Sequence, residues 1–163
     1  MLRAAVLAVT VALGACSTSP DPPPEPAPGE RLVVPVLRVV DGDTIHVELS
    51  SEDVTIRLIG IDTPEVDGPF TDRECFGALA SGHAHELFDG TIVELEFDIE
   101  RLDRFGRTLA YVWLDDVLTN EQLVRDGYAV VTTFPPNVRY VNRFLEAERA
   151  ARDEGAGLWS ACR

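Results

Sequence analysis

Between residues 32 and 114 the apolar pattern runs at period two, changes once to a helical period and returns to two, and this order limits the folds open to the chain. Residues 32–40 are mostly β-branched or Leu. Ile45, Val47 and Leu49 then alternate with Thr44, His46 and Glu48, and Val54, Ile56 and Leu58 with Thr55 and Arg57. These are three consecutive short strands. Residues 72–88 set Phe76, Leu79, His83 and Leu87 on one helical stripe, and Asp89-Gly90 stops the run. Strands resume at 91–98 and 108–114. In the first helical stretch after them, Thr119 is an N-cap candidate with Gln122 three residues on. In the second, 138–154, Val138, Val141 and Leu145 form one stripe, with Phe144, Ala147 and Ala151 beside it. Three strands, a helix, two strands and two helices predict an α+β domain whose five short strands close a small barrel.

The 163 residues, 45% apolar, hold one such domain plus short extra segments. The formal charge is −14, and all 14 basic residues are arginine. That balance excludes a protein that coats nucleic acid with its whole surface, because such binding rests on cations neutralising phosphates. A locally basic site stays open to it.

Residues 1–15 carry one basic residue, Arg3, an apolar run from Ala4 to Leu13, and then Gly14-Ala15 ahead of Cys16. The run is too short to span a bilayer. It resembles a bacterial lipoprotein signal, in which cleavage leaves a cysteine, here Cys16, to be lipidated. A conventional secretory signal and a buried N-terminal helix are the rival readings, and the Pro-rich tract that follows disfavours the helix. Residues 16–31 then form the lipidated cysteine and an extended linker with six prolines from Pro20 to Pro28. If Cys16 carries lipid, Cys75 and Cys162 are an even pair in an oxidising compartment, which favours a disulfide over two free thiols. Closing that loop stabilises by roughly 4–5 kcal/mol on the chain-entropy model.

Acids and arginines recur at the predicted strand ends: Asp41-Gly42-Asp43-Thr44, Arg57, Asp62-Thr63-Pro64-Glu65, and Asp103-Arg104-Phe105-Gly106-Arg107. Asp41 and Asp43 share a face if the segment is extended, and Gly42 allows a tight bend or a close backbone approach. Asp62 and Glu65 lie beyond the next strand. Such a cluster offers carboxylate and carbonyl oxygens, which suit a hard cation such as Ca²⁺, and no His and Cys set for structural zinc. A metal and two guanidiniums offset phosphate charge while a carboxylate orients or deprotonates water. A lone Asp-Gly is only a turn signal. The ordered set is far more specific.

The motifs V-D-G-D-T (40–44), R-L-I-G-I-D-T-P-E (57–65), D-R-F-G-R (103–107) and G-L-W-S (157–160) resemble the staphylococcal nuclease family over residues 32–163. The resemblance implies a five-stranded OB-fold β-barrel with three α-helices, and a monomeric Ca²⁺-dependent endonuclease acting on DNA and RNA. It implies Asp43 and Asp62 as carboxylate ligands, Thr63 as a carbonyl ligand and Asp41 as their support. Glu65 matches the general base or water-orienting carboxylate, and Arg57 and Arg107 match the arginines that grip the scissile phosphate. Two carboxylates and one carbonyl predict a weak calcium site, in the ~10⁻⁴–10⁻³ M class. Among residues 130–136, where family tyrosines pack on substrate, only Phe134 offers a ring.

Other polar residues have plainer readings. His83 reads as a partly buried structural histidine, His46 and His85 as solvent-facing, and Trp113 and Trp159 as packing residues. Glu94, Glu96, Asp98 and Glu100 read as the wet face of a strand, and Glu148, Arg149 and Arg152 as helix-surface charges. The leading expectation is an exported nuclease, secreted or held at the outer cell surface by lipid. A non-catalytic nucleic-acid or partner-binding module on the same fold is the alternative, and an envelope protein valued for its acidic surface is the third.

Overall fold

Three antiparallel strands open the fold, β1 (Arg31–Val39), β2 (Thr44–Leu49) and β3 (Glu52–Leu58). The structure, a computed structural model, describes residues 29–66 and 74–162. The leader, Cys16 and the linker as far as residue 28 lie outside the described residues. Next come β4 (Ile61–Asp62), α1 (Gly77–Phe88), β5 (Ile92–Glu96), β6 (Thr108–Leu114), β7 (Val117–Leu118), α2 (Thr119–Arg125), β8 (Val130–Val131), α3 (Val141–Glu154) and α4 (Leu158–Ala161). Among the described residues no helix is long and apolar enough to cross a membrane.

β1 makes the corner of the barrel. Residues 31–35 pair with β5, whereas Val36, Arg38 and Val39 pair with β2 across an irregularity between Val36 and Arg38. Such a bulge bends a strand and lets it serve two sheets. Pro35, which has no N–H to donate, sits at this changeover. β5 continues to β6, and the barrel closes through a parallel pairing of β3 with β6, Arg57 opposite Leu109. The result is a closed five-stranded mixed barrel of β1, β2, β3, β5 and β6 with helices, the OB-fold α+β class. Its interior is filled by Ile45, Val47, Ile56, Leu95 and Val112, with Phe88 of α1 and Phe144 of α3 packed on. Each such side chain contributes about 1.5–3 kcal/mol of burial.

Several expectations are corrected. The first helix starts at Gly77, and its buried face is Gly77, Ala80, Ala84 and Phe88, one step round from the expected stripe; Leu79 is exposed. Small residues face the barrel there because the helix lies close against it. Thr119 is the first residue of α2 and its hydroxyl donates to Val112 O at 2.6 Å, so it ties helix to strand and caps nothing. α3 begins at Val141, with Phe144, Ala147 and Ala151 inward and Val138 and Leu145 exposed. Glu148 is buried and accepts from Val131 N–H at 2.9 Å, so it is no surface charge. α4 is a fourth, short helix. His46 is largely covered by Arg38, Asp53 and Thr55, whereas His85 is exposed. His83 is partly buried and stacks on Tyr128 with ring centres 4.0 Å apart.

The wet-face reading of the fifth strand fails most clearly. Glu96 and Asp98 are 3% and 5% exposed. Trp113 Nε1 donates to Glu96 at 2.8 Å, Tyr140 OH donates at 2.9 Å and Arg139 Nη1 at 2.5 Å, while Tyr111 OH donates to Asp98 at 3.0 Å. Alternation placed these acids outside the barrel correctly. A layer made by β1, β6 and the segment before α3 covers them.

Candidate active site

The bend between β1 and β2 is held by its own acids. Asp41 Oδ1 accepts from Asp43 N–H at 3.0 Å, an Asx-type turn, and Leu58 N–H donates to Asp43 O at 2.9 Å, which fixes the bend to the end of β3. Gly42 is required by packing: a Cβ there would lie 2.6 Å from Thr63 Oγ1. Thr63 can therefore close on the bend, and its N–H and hydroxyl donate to Asp43 Oδ2 at 3.0 and 3.2 Å. Thr44 hydroxyl donates to the other oxygen, Oδ1, at 3.1 Å.

Arg57 leaves β3 toward the same point. Its Nη1 donates to Leu58 O and Ile61 O at 2.8 and 2.9 Å, and its Nη2 lies 2.7 Å from Asp62 Oδ1 and 3.0 Å from Asp43 Oδ2. One guanidinium nitrogen thus touches both carboxylates named as metal ligands. Because β3 and β6 are parallel neighbours, the turn that enters β6 stands beside Arg57. In that turn Asp103 Oδ1 accepts from the N–H groups of Phe105 and Arg107, both at 2.9 Å, and Arg107 Nε donates to Asp103 Oδ2 at 2.7 Å. Gly106 takes φ +81° to complete it.

These groups share a cavity of about 720 Å³, with Asp41, Asp43, Arg57, Asp62, Glu65 and Arg107 in its lining. Arg104, Phe105 and Phe134 also border it, and both rings are exposed. Thr63 is behind the cavity wall, buried against Asp43. Cys75 and Cys162 are away from the cavity, joined with their Cα atoms 5.8 Å apart.

The electrostatics set Asp43 apart. Burial pushes its carboxyl up to about 6, against the pull of Arg57, with Asp41 adding to the rise. Glu65 is also raised, by partial burial and then by Asp41 and Asp62. Burial likewise raises Asp103, yet the N–H groups and guanidinium of its own turn outweigh that and hold it below the usual range. Among the described residues no three His, Cys, Asp or Glu side chains are grouped as a metal cluster. The two-carboxylate set fits a divalent cation on other grounds. Its donors are all oxygen, and Asp43 is buried among further acids with Arg57, among the described residues, as the cationic neighbour in contact.

Sequence reasoning missed Glu74, which accepts from Glu65 N–H at 3.1 Å, and Asn137, which bonds the backbone of Glu100 in both directions at 2.8 Å and so fixes one cavity wall. Neither stands in a motif that spacing alone marks.

A five-stranded mixed barrel that carries a carboxylate and guanidinium cleft where β3 meets β6 defines the class of protein. Residues 55–161 match the family model described as staphylococcal nuclease homologue. The chain is 40% identical over 124 residues to a thermonuclease of Staphylococcus intermedius, covering 76% of this chain and 74% of that one. A thermonuclease of Staphylococcus hyicus is 39% identical over 125 residues, covering 77% and 74%. An SPbeta prophage-derived endonuclease of Bacillus subtilis is 38% identical over 133 residues, 80% of this chain and 45% of that one. The chain belongs to the staphylococcal nuclease family.

Proposed function

We propose that the protein is an exported Ca²⁺-dependent endonuclease that hydrolyses DNA and RNA. The observation that carries this reading is the contact of Arg57 with both Asp43 and Asp62 in a cavity that Glu65 and Arg107 also line. Kinship with proteins named thermonuclease and endonuclease supports it. Asp43 and Asp62 through carboxylates and Thr63 through its carbonyl would hold the calcium ion, with Asp41 bracing Asp43. When bound, the ion offsets charge on the scissile phosphate as a Lewis acid.

Glu65 orients a water or takes its proton, and the water oxygen attacks phosphorus as the bond to the 5′ oxygen breaks. The 5′ oxygen leaves with a proton from solvent, and a 3′-phosphate remains. Arg57 and Arg107 donate to the phosphate oxygens as charge builds there, a task that suits the planar guanidinium. Arg57 is already aligned by two backbone carbonyls, and Arg107 by Asp103. Phe105 and Phe134 present rings on which bases stack.

We assign residues 1–15 to a cleaved leader, Cys16 to lipid attachment, and residues 32–163 to the nuclease domain. The test is pure protein with plasmid and denatured DNA, in Ca²⁺ and in chelator, beside Glu65→Gln. Cleavage that needs calcium and is lost in the variant is the expected result. Intact DNA with calcium, or equal cleavage by the variant, overturns the reading.

A further inference from the structure

We propose that Glu74, anchored by the Cys75–Cys162 crosslink, is a positioning residue that holds the Glu65 carboxylate in its working place. The proposal rests on the catalytic role given to Glu65 above. Glu65 follows Pro64 at the cavity edge, and its backbone is gripped from both sides by a residue nine positions later. Glu65 N–H donates to Glu74 Oε2 at 3.1 Å, and Glu74 N–H donates back to Glu65 O at 3.0 Å. This reciprocal pair fixes both peptide groups that flank the Glu65 Cα. The side chain therefore projects from a clamped backbone.

The clamp is itself built into the barrel. Gly77, first residue of α1, approaches so closely that a Cβ there would lie 2.1 Å from Glu65 O, and Gly77 N–H donates to Glu74 O at 3.2 Å. Phe76 lies between them at φ +75°, a backbone conformation that side chains rarely adopt, with its ring 5.5 Å from Tyr128. Cys75, next to Glu74, is bonded to Cys162 beyond α4. Leu158 N–H at the start of α4 donates to Gly127 O at 2.9 Å, so the crosslink ties the Glu74 segment to a docked chain end. Neither cysteine is among the described residues that line the cavity. Their place beside Glu74 gives the bond a task at Glu65 in addition to its general effect on stability.

The experiment measures kcat and KM per folded molecule, with the folded fraction from far-UV circular dichroism, for Glu74→Ala, Glu74→Gln and the Cys75→Ala/Cys162→Ala pair. Each is made in the wild type and in Glu65→Gln. A misplaced catalytic group costs up to about 100-fold in rate, so Glu74→Ala is expected to lower kcat by about 30-fold with KM within about 2-fold. Glu74→Gln keeps an oxygen that accepts from Glu65 N–H and stays within about 3-fold, and the cysteine pair lowers kcat by about 5- to 10-fold. In the Glu65→Gln background none of the three changes the residual rate by more than about 2-fold, since a residue that acts through Glu65 has nothing left to position. Wild-type kcat in Glu74→Ala beside a slow Glu65→Gln overturns the clamp and leaves the nuclease reading standing. So does a loss from Glu74→Ala that is equally large in both backgrounds. A fast Glu65→Gln removes the catalytic role of Glu65 itself, and the clamp with it.

Discussion

Two regions of this barrel bury a carboxylate beside arginines, one under a cover of side chains and the other at the wall of an open cleft. Around Glu96 and Asp98 the two acids are met by Arg31 and Arg139, and Trp113, Tyr111 and Tyr140 donate to the remaining oxygens. Around Asp43 the cavity also carries Asp41, Asp62 and Glu65, and among the described residues Arg57 is the guanidinium in contact. The first is a hydrogen-bonded network covered on the flank of the barrel, in which Arg31 also pairs with Glu94 at 3.0 Å and Asp116 at 3.6 Å. The second sets more acids than arginines, among the described residues, along an open cleft, and burial lifts Asp43 to about 6 against the pull of Arg57, with Asp41 and Asp62 adding to the rise. A buried acid on its own therefore does not identify a site. A buried acid grouped with others at the wall of an open cavity is the stronger sign.

The largest effect expected from breaking this contrast is on stability. Glu96→Ala leaves Arg139, Trp113 Nε1 and Tyr140 OH without their shared acceptor, and removing one member of a buried charged network costs about 3–5 kcal/mol. Urea titration should record that loss, while kcat per folded molecule stays within about 3-fold. A loss under about 1 kcal/mol would make the network ornamental. At the cleft the expected sizes are reversed. Glu65→Gln, Arg57→Ala and Arg107→Ala should each lower kcat by at least about 100-fold, near 2.7 kcal/mol of barrier, as single charge-stabilising groups usually do. Near-normal turnover in any one would take that residue out of the mechanism.

The contrast also explains what could be read from the sequence. The barrel was legible because its apolar alternation is clean, and the cleft because its acids and arginines fall at strand ends that parallel pairing of β3 and β6 brings together. Glu96 was misread because alternation says which face a side chain takes and nothing about what later covers that face. Its cover comes from Arg139 and Tyr140, more than 40 residues on. The α1 stripe was misassigned because Leu79 is more apolar than Ala80, yet close packing selects the smaller residue. The turns at Ser50-Ser51 and Asp115-Asp116 take positive φ without glycine, so the β7 strand after the second carried no usual signal. Glu74 was invisible because it acts through one backbone N–H.

Metal binding sharpens the comparison at intermediate size. A site of ~10⁻⁴–10⁻³ M affinity, held at ~10 mM Ca²⁺, stabilises the folded state by about 1.4–2.7 kcal/mol. Calorimetry should show a rise in Tm that chelator removes and that Asp43→Ala or Asp62→Ala abolishes. Glu96→Gln should keep the calcium-dependent rise, since its network has no part in the cleft. No calcium effect in the wild type would leave the acid excess at Asp43 without its cation.

The smallest effect lies at Asp103, which belongs to the cleft yet is held by donors of its own turn. Its folded carboxyl is held below the ordinary 3.8 by the N–H groups and guanidinium of its turn, after burial has worked against them. A depressed acid stabilises the fold above its unfolded value, and that contribution fades as pH falls through the lower folded value. Asp103 is only partly buried and its turn lies at the surface, so screening holds the gain to about 1 kcal/mol. The stability difference between wild type and Asp103→Asn should be constant near neutral pH and shrink only below about 3.8. A difference that closes well above that pH would mean that the turn does not depress this acid, and that Arg107 is aligned by other contacts.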